Sequence, residues 1–147
     1  LIRHLGAMRR TEEGAYLLVC PHPKEKKPEV WTKTEAYYGE LLPENRFEFL
    51  AEGLRSIDAF SRVDTGVCSY SSILFERLSF GLKTIVYTER MENFPLPGTR
   101  LAQICANSPA RLKALYHEIK PLSAEDFFSH YQLESYRQFG SPQKTTA

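Results

Sequence analysis

The sequence predicts an α/β protein built on a mainly parallel sheet, and three observations support this class. Apolar runs of strand length alternate with segments whose apolar residues recur at helical spacing. The run at residues 16–20 lacks polar alternation, which is typical of a strand buried on both faces of a parallel sheet. Residues 67–87 combine a strand, a serine-rich turn, a helix and a second strand, as a crossover between parallel strands requires. We therefore expect helices on both faces of the sheet.

The chain is predicted to begin with a helix followed by a buried strand. Leu1, Leu5 and Met8 recur at helical spacing, which indicates an amphipathic helix over residues 1–11. The apolar run at residues 16–20 then forms the first strand, and it ends abruptly at a Pro-His-Pro sequence.

The segment that follows carries weaker signals. Residues 24–46 are charged and contain prolines and a glycine, so we expect irregular structure there. A second, short strand is predicted at residues 47–50. Ser56 can cap a short helix in which Ile57 and Phe60 face inward.

The helix after the serine-rich turn has a clear end. Gly81 is expected to stop it, and a strand at residues 84–87 follows at once. A further short strand is predicted at residues 102–106.

Two serines mark the starts of the last two predicted helices. Ser108 precedes Pro109, and proline suits the first position of a helix. Ser123, with Asp126 three residues later, resembles a capping box. The last helix is expected to run as far as Gly140.

Length and charge exclude several classes of protein. A chain of 147 residues can bury one core, so we expect a single domain over residues 1–140 and a frayed tail at residues 141–147. A net charge of +1 excludes a broad electrostatic attraction to nucleic acid or to a membrane surface. No apolar run reaches the length of a transmembrane segment.

The cysteines and the first residue indicate the cellular context. Three cysteines without zinc-ligand spacing do not make a disulfide framework, and we expect buried thiols in a reducing compartment. The expected location is cytoplasmic, either free or peripheral at the inner face of the membrane. The start has no pattern of a secretory signal. Because Leu1 falls inside a helical pattern, we expect a piece of a longer protein.

The serine-rich turn is the strongest candidate site. Ser69, Ser71 and Ser72 follow a strand and precede a helix, so their hydroxyls lie beside backbone N–H groups that have no acceptor within the helix. The positive end of the helix dipole favours an anion there, such as a phosphate or a carboxylate. Glu76, four residues after Ser72, would share the outward face and accept hydroxyls of a ribose. The alternative is an ordinary helix cap with a solvated glutamate.

The buried face of that helix is expected to comprise apolar residues at helical spacing, namely Leu74, Phe75, Leu78 and Leu82.

His22 is the second candidate. It lies between two prolines directly after a buried strand, so its backbone is stiff and its ring is directed toward the carboxyl end of the sheet. A neighbouring phosphate would favour the protonated ring, which could stabilise charge on a leaving phosphate. The alternative is a turn histidine bonded to a backbone carbonyl.

Other chemistries find little support in the sequence. The remaining histidines show no metal-ligand spacing, and neither glycine-rich phosphate loop is present. Cys20 and Cys68 end two strands without a neighbouring base in sequence, so both are expected in the core rather than as nucleophiles.

Two segments together resemble a known family. Residues 17–24, LLVCPHPK, are similar to the HP motif of glycosyltransferases with the GT-B fold, and residues 67–87, VCSYSSILFERLSFGLKTIVY, resemble their SS motif. Bacterial sialyltransferases and polysialyltransferases, Kdo transferases and CDP-glycerol glycerophosphotransferases share this pair. The resemblance covers residues 15–120. It implies a Rossmann-like donor-nucleotide-binding domain, which is half of a GT-B fold.

The resemblance also implies roles for individual residues. His22 would contact the donor phosphate and assist departure of the leaving group. Ser71 and Ser72 would bind the phosphate or the carboxylate of an acidic sugar, with Ser69 beside them, and Glu76 would meet the ribose. The donor would be a CMP-sugar or a related nucleotide, the acceptor a glycan or a lipid-linked molecule of surface polysaccharide synthesis, and no metal or other cofactor would be needed.

The chain departs from the family in three respects. The first strand of the donor domain, which should precede Leu1, is expected to be missing. The N-terminal acceptor domain, which carries the catalytic base of the family, has no counterpart here, so we expect the isolated chain to be inactive. Cys20 also stands where relatives often have a basic or another polar residue.

Two other functions stay open on the sequence. The chain can be a non-catalytic α/β module that binds a nucleotide or a protein. It can also belong to a sugar-nucleotide epimerase of similar fold, which would prefer a UDP ligand and would need acidic residues that the sequence does not place. Neither the donor sugar, the linkage nor the oligomeric state follows from the sequence.

Overall fold

The computed structural model describes residues 1–43, 46–51, 53–89 and 98–138. The chain is mixed α/β, with short parallel strands in two small sheets. It divides into two compact units, of which the first comprises Leu1–Ser56 and the second begins at Ile57. The predicted frayed tail, residues 141–147, lies outside the described residues.

The first unit contains two helices and a two-stranded parallel sheet, in the order α1 (Ile2–Thr11), β1 (Leu17–Val19), α2 (Pro28–Leu41) and β2 (Phe47–Phe49). The strands pair in register, with Leu17 opposite Phe47. Both strands and α1 therefore lie close to where the sequence pattern predicted them. The core of this unit is built on Val19, Tyr38 and Leu42.

The prediction of irregular structure over residues 24–46 is wrong, because α2 occupies most of that segment. Pro28 is the first residue of α2, a position that proline tolerates because the missing N–H has no intrahelical acceptor there. Thr34 and Tyr38 are buried four residues apart, and Leu42 continues that face. The helix is thus stabilised by one packed face, although its sequence is rich in charged residues.

The described residues of the second unit contain a three-stranded parallel sheet. One α-helix follows the first strand and two follow the last, in the order β3 (Gly66–Cys68), α3 (Ser72–Ser79), β4 (Thr84–Tyr87), β5 (Cys105–Ala106), α4 (Pro109–Ile119) and α5 (Ala124–Tyr131). The strands are arranged β3-β4-β5, so β4 is central and all four of its residues are buried. The strand predicted over residues 102–106 is shorter than expected, since a 3₁₀ turn, Arg100–Ile104, occupies most of that segment.

The core of the second unit is formed by its sheet and by α3, α4 and α5. Its fully buried members include Leu74, Leu78, Ile85, Val86, Leu112, Leu115, Ile119, Phe127 and Phe128. Removal of such side chains from water is the main favourable contribution to folding, at about 1.5–3 kcal/mol for each large one.

Both predicted serine caps are confirmed. The Ser108 hydroxyl accepts a hydrogen bond from the Arg111 N–H at 3.1 Å, and the Ser123 hydroxyl accepts one from the Asp126 N–H at 3.0 Å. These bonds satisfy donors that the first turn of a helix leaves without a partner.

The last helix is shorter than the prediction of an end at Gly140. It ends at Tyr131, and Gln132 adopts a left-handed conformation with φ 54°. The Leu133 N–H then donates to the Phe128 carbonyl at 2.9 Å, and the Leu133 side chain is fully buried. Burial of Leu133 requires the chain to leave the helix at this point, and Gly140 itself lies outside the described residues.

A buried arginine side chain lies against Gly66, the first residue of β3. Arg77 is only 5 % exposed, and its guanidinium donates to the Thr84 hydroxyl at 3.2 Å and to the Lys83 carbonyl at 3.0 Å. Its side chain crosses Gly66 so closely that a Cβ atom there would lie 2.1 Å from Nε of Arg77. Gly66 is therefore required for close approach of the arginine to the backbone.

Candidate functional site

The three predicted serines lie together at the carboxyl end of β3. Ser69 directly follows the strand, Ser71 is the N-cap residue of α3, and Ser72 is the first residue of that helix. All three are exposed. In parallel sheets of α/β proteins, ligands commonly bind beyond this edge, and the serine turn lies at it.

The N-terminus of α3 differs from those of α4 and α5. Ser71 has the extended backbone of an N-cap residue, with φ −160° and ψ 172°, yet its side chain makes no capping hydrogen bond to the described helix. Ser108 and Ser123, in the same position, both cap their helices. The Ser71 hydroxyl is therefore not committed to the first turn of its own helix.

An aromatic contact stabilises the start of α3 in place of a side-chain cap. Tyr70 precedes the N-cap and Phe75 is the fourth helical residue, and their ring centroids lie 6.1 Å apart in an edge-to-face arrangement. This is the spacing of a hydrophobic staple, which fixes the direction in which the chain enters a helix.

The prediction that Phe75 is buried is wrong, since 37 % of this residue is exposed. Leu74 and Leu78 are fully buried as expected, and Arg77 takes the remaining inward position. The apolar periodicity could not show this, because the long arginine side chain is buried through its hydrogen bonds rather than through hydrophobicity.

Backbone geometry adds anion-binding capacity to the serine turn. The Leu74 N–H donates to the Ser71 carbonyl at 3.1 Å, which closes a tight first turn. The N–H groups of Ser72 and Ile73 precede any possible intrahelical acceptor. The N-terminus of a helix also carries a partial positive charge of about half a proton. Hydroxyls and amides at this turn can hold a phosphate or a carboxylate.

Glu76 lies one turn further along α3 and is exposed, as predicted. Because β3 and β4 are parallel, α3 must carry the chain back from the carboxyl edge of the sheet toward its amino edge. Four residues of helix rise span about 6 Å. Glu76 is thus displaced from Ser72 by roughly that distance along the axis, away from the edge where the serines lie.

The neighbouring strand ends at the same edge and carries residues that the sequence reasoning did not select. Thr88 follows β4, and both its N–H and its hydroxyl donate to the Ala106 carbonyl, at 2.7 Å and 3.3 Å. Glu89 comes next and accepts a hydrogen bond from the Tyr87 hydroxyl. Their position in the sequence could have identified them, because polar residues that directly follow a buried strand of a parallel sheet lie at the edge where ligands commonly bind.

His22 lies in the first unit, three residues after the end of β1, and is exposed. It is the N-cap residue of a 3₁₀ turn, Pro23–Lys26. The Lys24 N–H donates to Nδ1 of the His22 ring at 3.1 Å, and the His22 N–H donates to the Glu25 carboxylate at 2.7 Å. The ring thus accepts from a backbone N–H, whereas the alternative interpretation of the sequence supposed a bond to a backbone carbonyl.

The hydrogen bond at Nδ1 determines which ring nitrogen of His22 carries the proton. An acceptor nitrogen holds no proton, so a neutral ring in this arrangement is protonated at Nε2. Nε2–H can donate to an anion without disturbing the capping bond. Since His22 and the serine turn belong to different units, their meeting around one ligand stays a prediction.

The environments of Cys68 and Cys105 disfavour a role as nucleophile. The expectation of a buried Cys20 is wrong, since Cys20 is exposed just beyond the end of β1. Cys68 and Cys105 are half-buried. Burial raises the pKa of the Cys68 thiol to about 11, against a smaller opposing effect of the Arg77 charge, and burial raises the pKa of the Cys105 thiol to about 12. Thiols with such values are rarely ionised near neutral pH and react slowly.

Within the described ranges, no group of three or more histidine, cysteine or acidic side chains is arranged to hold a metal ion. None of the helices in the described part of the chain has both the length and the apolar character needed to cross a bilayer.

Comparisons with family models, with curated proteins and with solved structures find no match to this chain.

Proposed function

We propose that this chain is the donor-nucleotide-binding part of a glycosyltransferase and forms half of a GT-B fold. The enzyme transfers a sugar from a CMP-sugar or a related nucleotide donor to a glycan or lipid-linked acceptor in surface polysaccharide synthesis. Its HP-like and SS-like motifs suggest the family. The observation that carries the proposal is the Ser71 hydroxyl, which is left uncommitted at a helix N-terminus on the carboxyl edge of a parallel sheet.

In this proposal the serine turn binds the phosphate of the donor. The hydroxyls of Ser69, Ser71 and Ser72 donate to phosphate oxygens, and the helix dipole favours the negative charge. The acceptor hydroxyl attacks the anomeric carbon of the sugar while the bond between that carbon and the phosphate oxygen breaks. Negative charge then grows on the leaving phosphate, so donors already oriented toward it stabilise the transition state more than the ground state.

His22 has the second role. Its Nε2–H would donate to the leaving phosphate oxygen, while the bond from Lys24 to Nδ1 keeps the ring in one orientation. The proton of the acceptor hydroxyl would pass to a base on the acceptor domain, as the resemblance implies. Placement of the donor and stabilisation of the leaving group are therefore the tasks of this chain.

Titration with CMP tests the anion site. Calorimetry on the chain and on Ser71→Ala should show CMP binding that weakens at least about tenfold in the variant, because a charge-assisted hydrogen bond is lost. Ser123→Ala is the matched control, since that serine caps α5 and should leave CMP affinity unchanged. Equal affinity in the chain and in Ser71→Ala would contradict the proposal, as would an absence of CMP binding.

Turnover tests the catalytic part. In the enzyme complete with its acceptor domain, His22→Ala and Ser72→Ala should each lower kcat at least about 10²-fold, the usual loss when one oriented donor is removed. His117→Ala, a change at an exposed histidine of α4, serves as the control. CMP binding without transfer in combination with any acceptor domain would instead identify a non-catalytic nucleotide-binding module.

A further inference from the structure

Glu25 bonds to the backbone of His22 in both directions. The Glu25 carboxylate accepts a hydrogen bond from the His22 N–H at 2.7 Å, and the Glu25 N–H donates to the His22 carbonyl at 2.8 Å. The 3₁₀ turn that begins after His22 is only four residues long, and hydrogen bonds within such turns have poorer geometry than those of an α-helix. The position of the His22 backbone therefore depends on where Glu25 is held.

Two buried side chains of α2 hold Glu25. The Thr34 hydroxyl donates to the Glu25 carbonyl at 2.8 Å, and the Tyr38 hydroxyl forms a hydrogen bond with the Glu25 side chain. Thr34 and Tyr38 lie one turn apart on the buried face of α2, and they are only 7 % and 8 % exposed. Burial, followed by the charge of Glu25, raises the pKa of Tyr38 to about 12, so the Tyr38 hydroxyl keeps its proton and remains a donor near neutral pH.

The two hydroxyls of α2 give the contact with the turn a fixed direction. A contact between apolar side chains is not directional, whereas a hydrogen bond weakens steeply when its angle changes. Thr34 fixes the main chain of Glu25 and Tyr38 fixes its carboxylate. The orientation of Glu25 is thus determined at two points, and His22 is bonded to it at two more.

We propose that Glu25 and Tyr38 are positioning residues, which hold the His22 imidazole with Nδ1 as an acceptor and Nε2–H as the donor to an anion. The Lys24 N–H donates to Nδ1 at 3.1 Å, and this bond persists only while the turn keeps the His22 backbone in place. The inference rests on the proposed role of His22 toward the leaving phosphate. It adds the residues that orient the ring before the donor arrives, and neither of them contacts the ligand.

The tautomer of the His22 ring tests this positioning in the chain alone. Long-range proton–nitrogen NMR spectra distinguish a neutral ring protonated at Nε2 from one protonated at Nδ1. At alkaline pH the parent chain should show the Nε2–H tautomer only, and Glu25→Ala should add a population protonated at Nδ1. Glu25→Gln should restore the single tautomer, because an amide oxygen can also accept from the His22 N–H. A single tautomer in Glu25→Ala would overturn the proposal.

A pair of tyrosine variants repeats the test without removing Glu25. Tyr38→Phe keeps the buried ring and removes the hydroxyl, and it should also add the population of His22 protonated at Nδ1. Tyr37→Phe is the matched control, since Tyr37 is the exposed neighbour, and it should keep the single tautomer. If Glu25→Ala does not fold, Tyr38→Phe decides the question, and a single tautomer in that variant overturns the proposal.

Turnover separates a positioning role from a purely structural one. In the enzyme complete with its acceptor domain, Glu25→Ala should lower kcat at least about tenfold and leave KM for the donor nearly unchanged, because a misplaced ring is missed mainly in the transition state. The double variant with His22→Ala should be no slower than His22→Ala alone, since Glu25 acts through that ring. Two losses that multiply would overturn the positioning role.

The outcomes distinguish this inference from the proposed function. A single tautomer in Glu25→Ala, together with slow turnover of His22→Ala, overturns the positioning and leaves the proposed role of His22 in place. A second tautomer in Glu25→Ala, together with normal turnover of His22→Ala, overturns the role of His22 in transfer, although Glu25 still orients the ring.

Discussion

The Lys83 ammonium donates a hydrogen bond to the Leu122 carbonyl oxygen, with Nζ and O 2.8 Å apart. Two further carbonyls accept from the same group, that of Ile119 at 3.2 Å and that of Lys120 at 3.1 Å. Lys83 directly precedes β4, so this contact joins the start of the central strand to the end of α4. The last carbonyls of a helix have no intrahelical donor, and an ammonium group has three donors to supply.

Loss of this contact should destabilise the second unit. Lys83→Met keeps most of the alkyl chain and removes the donors, and we expect a loss of about 1–2 kcal/mol in the free energy of unfolding, because the helix-end carbonyls lose their donors. Chemical denaturation measures the change. Lys113→Met, at an exposed position of α4, is the control and should stay within about 0.5 kcal/mol of the parent chain. Equal stability of the two variants would show that the contact contributes nothing.

Substitution by alanine should change the stability of the chain in opposite directions at two glycines. Gly66→Ala places a Cβ atom against the buried Arg77 side chain and should cost about 1–3 kcal/mol, the usual range for overpacking. Gly39→Ala lies on the exposed side of α2, where a Cβ would meet no described atom of another segment within 4 Å, and should stabilise by about 0.4–1 kcal/mol. Thermal unfolding shows whether each variant is more or less stable than the parent chain. A Gly66→Ala variant as stable as the parent chain would contradict the close contact between Gly66 and Arg77.

The two kinds of serine cap predict different effects on stability. Ser123→Ala removes the hydrogen bond to the Asp126 N–H and should cost about 1 kcal/mol of unfolding free energy. Ser71→Ala removes no described capping bond and should cost a few tenths of a kcal/mol at most. Urea denaturation without ligand distinguishes them. A cost for Ser71→Ala as large as that for Ser123→Ala would mean that its hydroxyl caps α3 in solution.

Alkaline pH should destabilise the chain in part through Cys68. Burial raises the pKa of this thiol from 9.0 to about 11, so the folded state retains the proton where the unfolded state has lost it. The stabilising contribution is complete below pH 9 and is lost as the pH rises through 11, by about 2–3 kcal/mol. Cys68→Ala should therefore show a shallower fall in unfolding free energy between pH 8 and pH 11. If the unfolding free energy of the parent chain and of Cys68→Ala fell equally with pH, ionisation of Cys68 would not be the cause.

Local sequence patterns predicted several features of the fold and the site. The serine caps of α4 and α5 need only a hydroxyl before a helix, and the start of α3 and the buried strand β4 are also determined by neighbouring residues. The position of Ser69, Ser71 and Ser72 at the end of a strand could be predicted for the same reason. Glu76 is correctly predicted as exposed, since its position relative to Leu74 and Leu78 follows from helical spacing.

Long-range packing decided what these patterns could not show. Arg77 is buried because the Thr84 hydroxyl of β4 and the carbonyl of Lys83, just before that strand, accept its hydrogen bonds. Phe75 is instead exposed and packs against Tyr70.

The sequence by itself determined the class of the fold, the starts of most helices and the serine turn, because these depend on contacts between residues close in the chain. Only the tertiary structure decided that Ser71 leaves its helix uncapped while Ser108 and Ser123 do not, and that Arg77 rather than Phe75 is buried. Those properties depend on strand register and on which side chains fill the core, and both arise from contacts between distant segments.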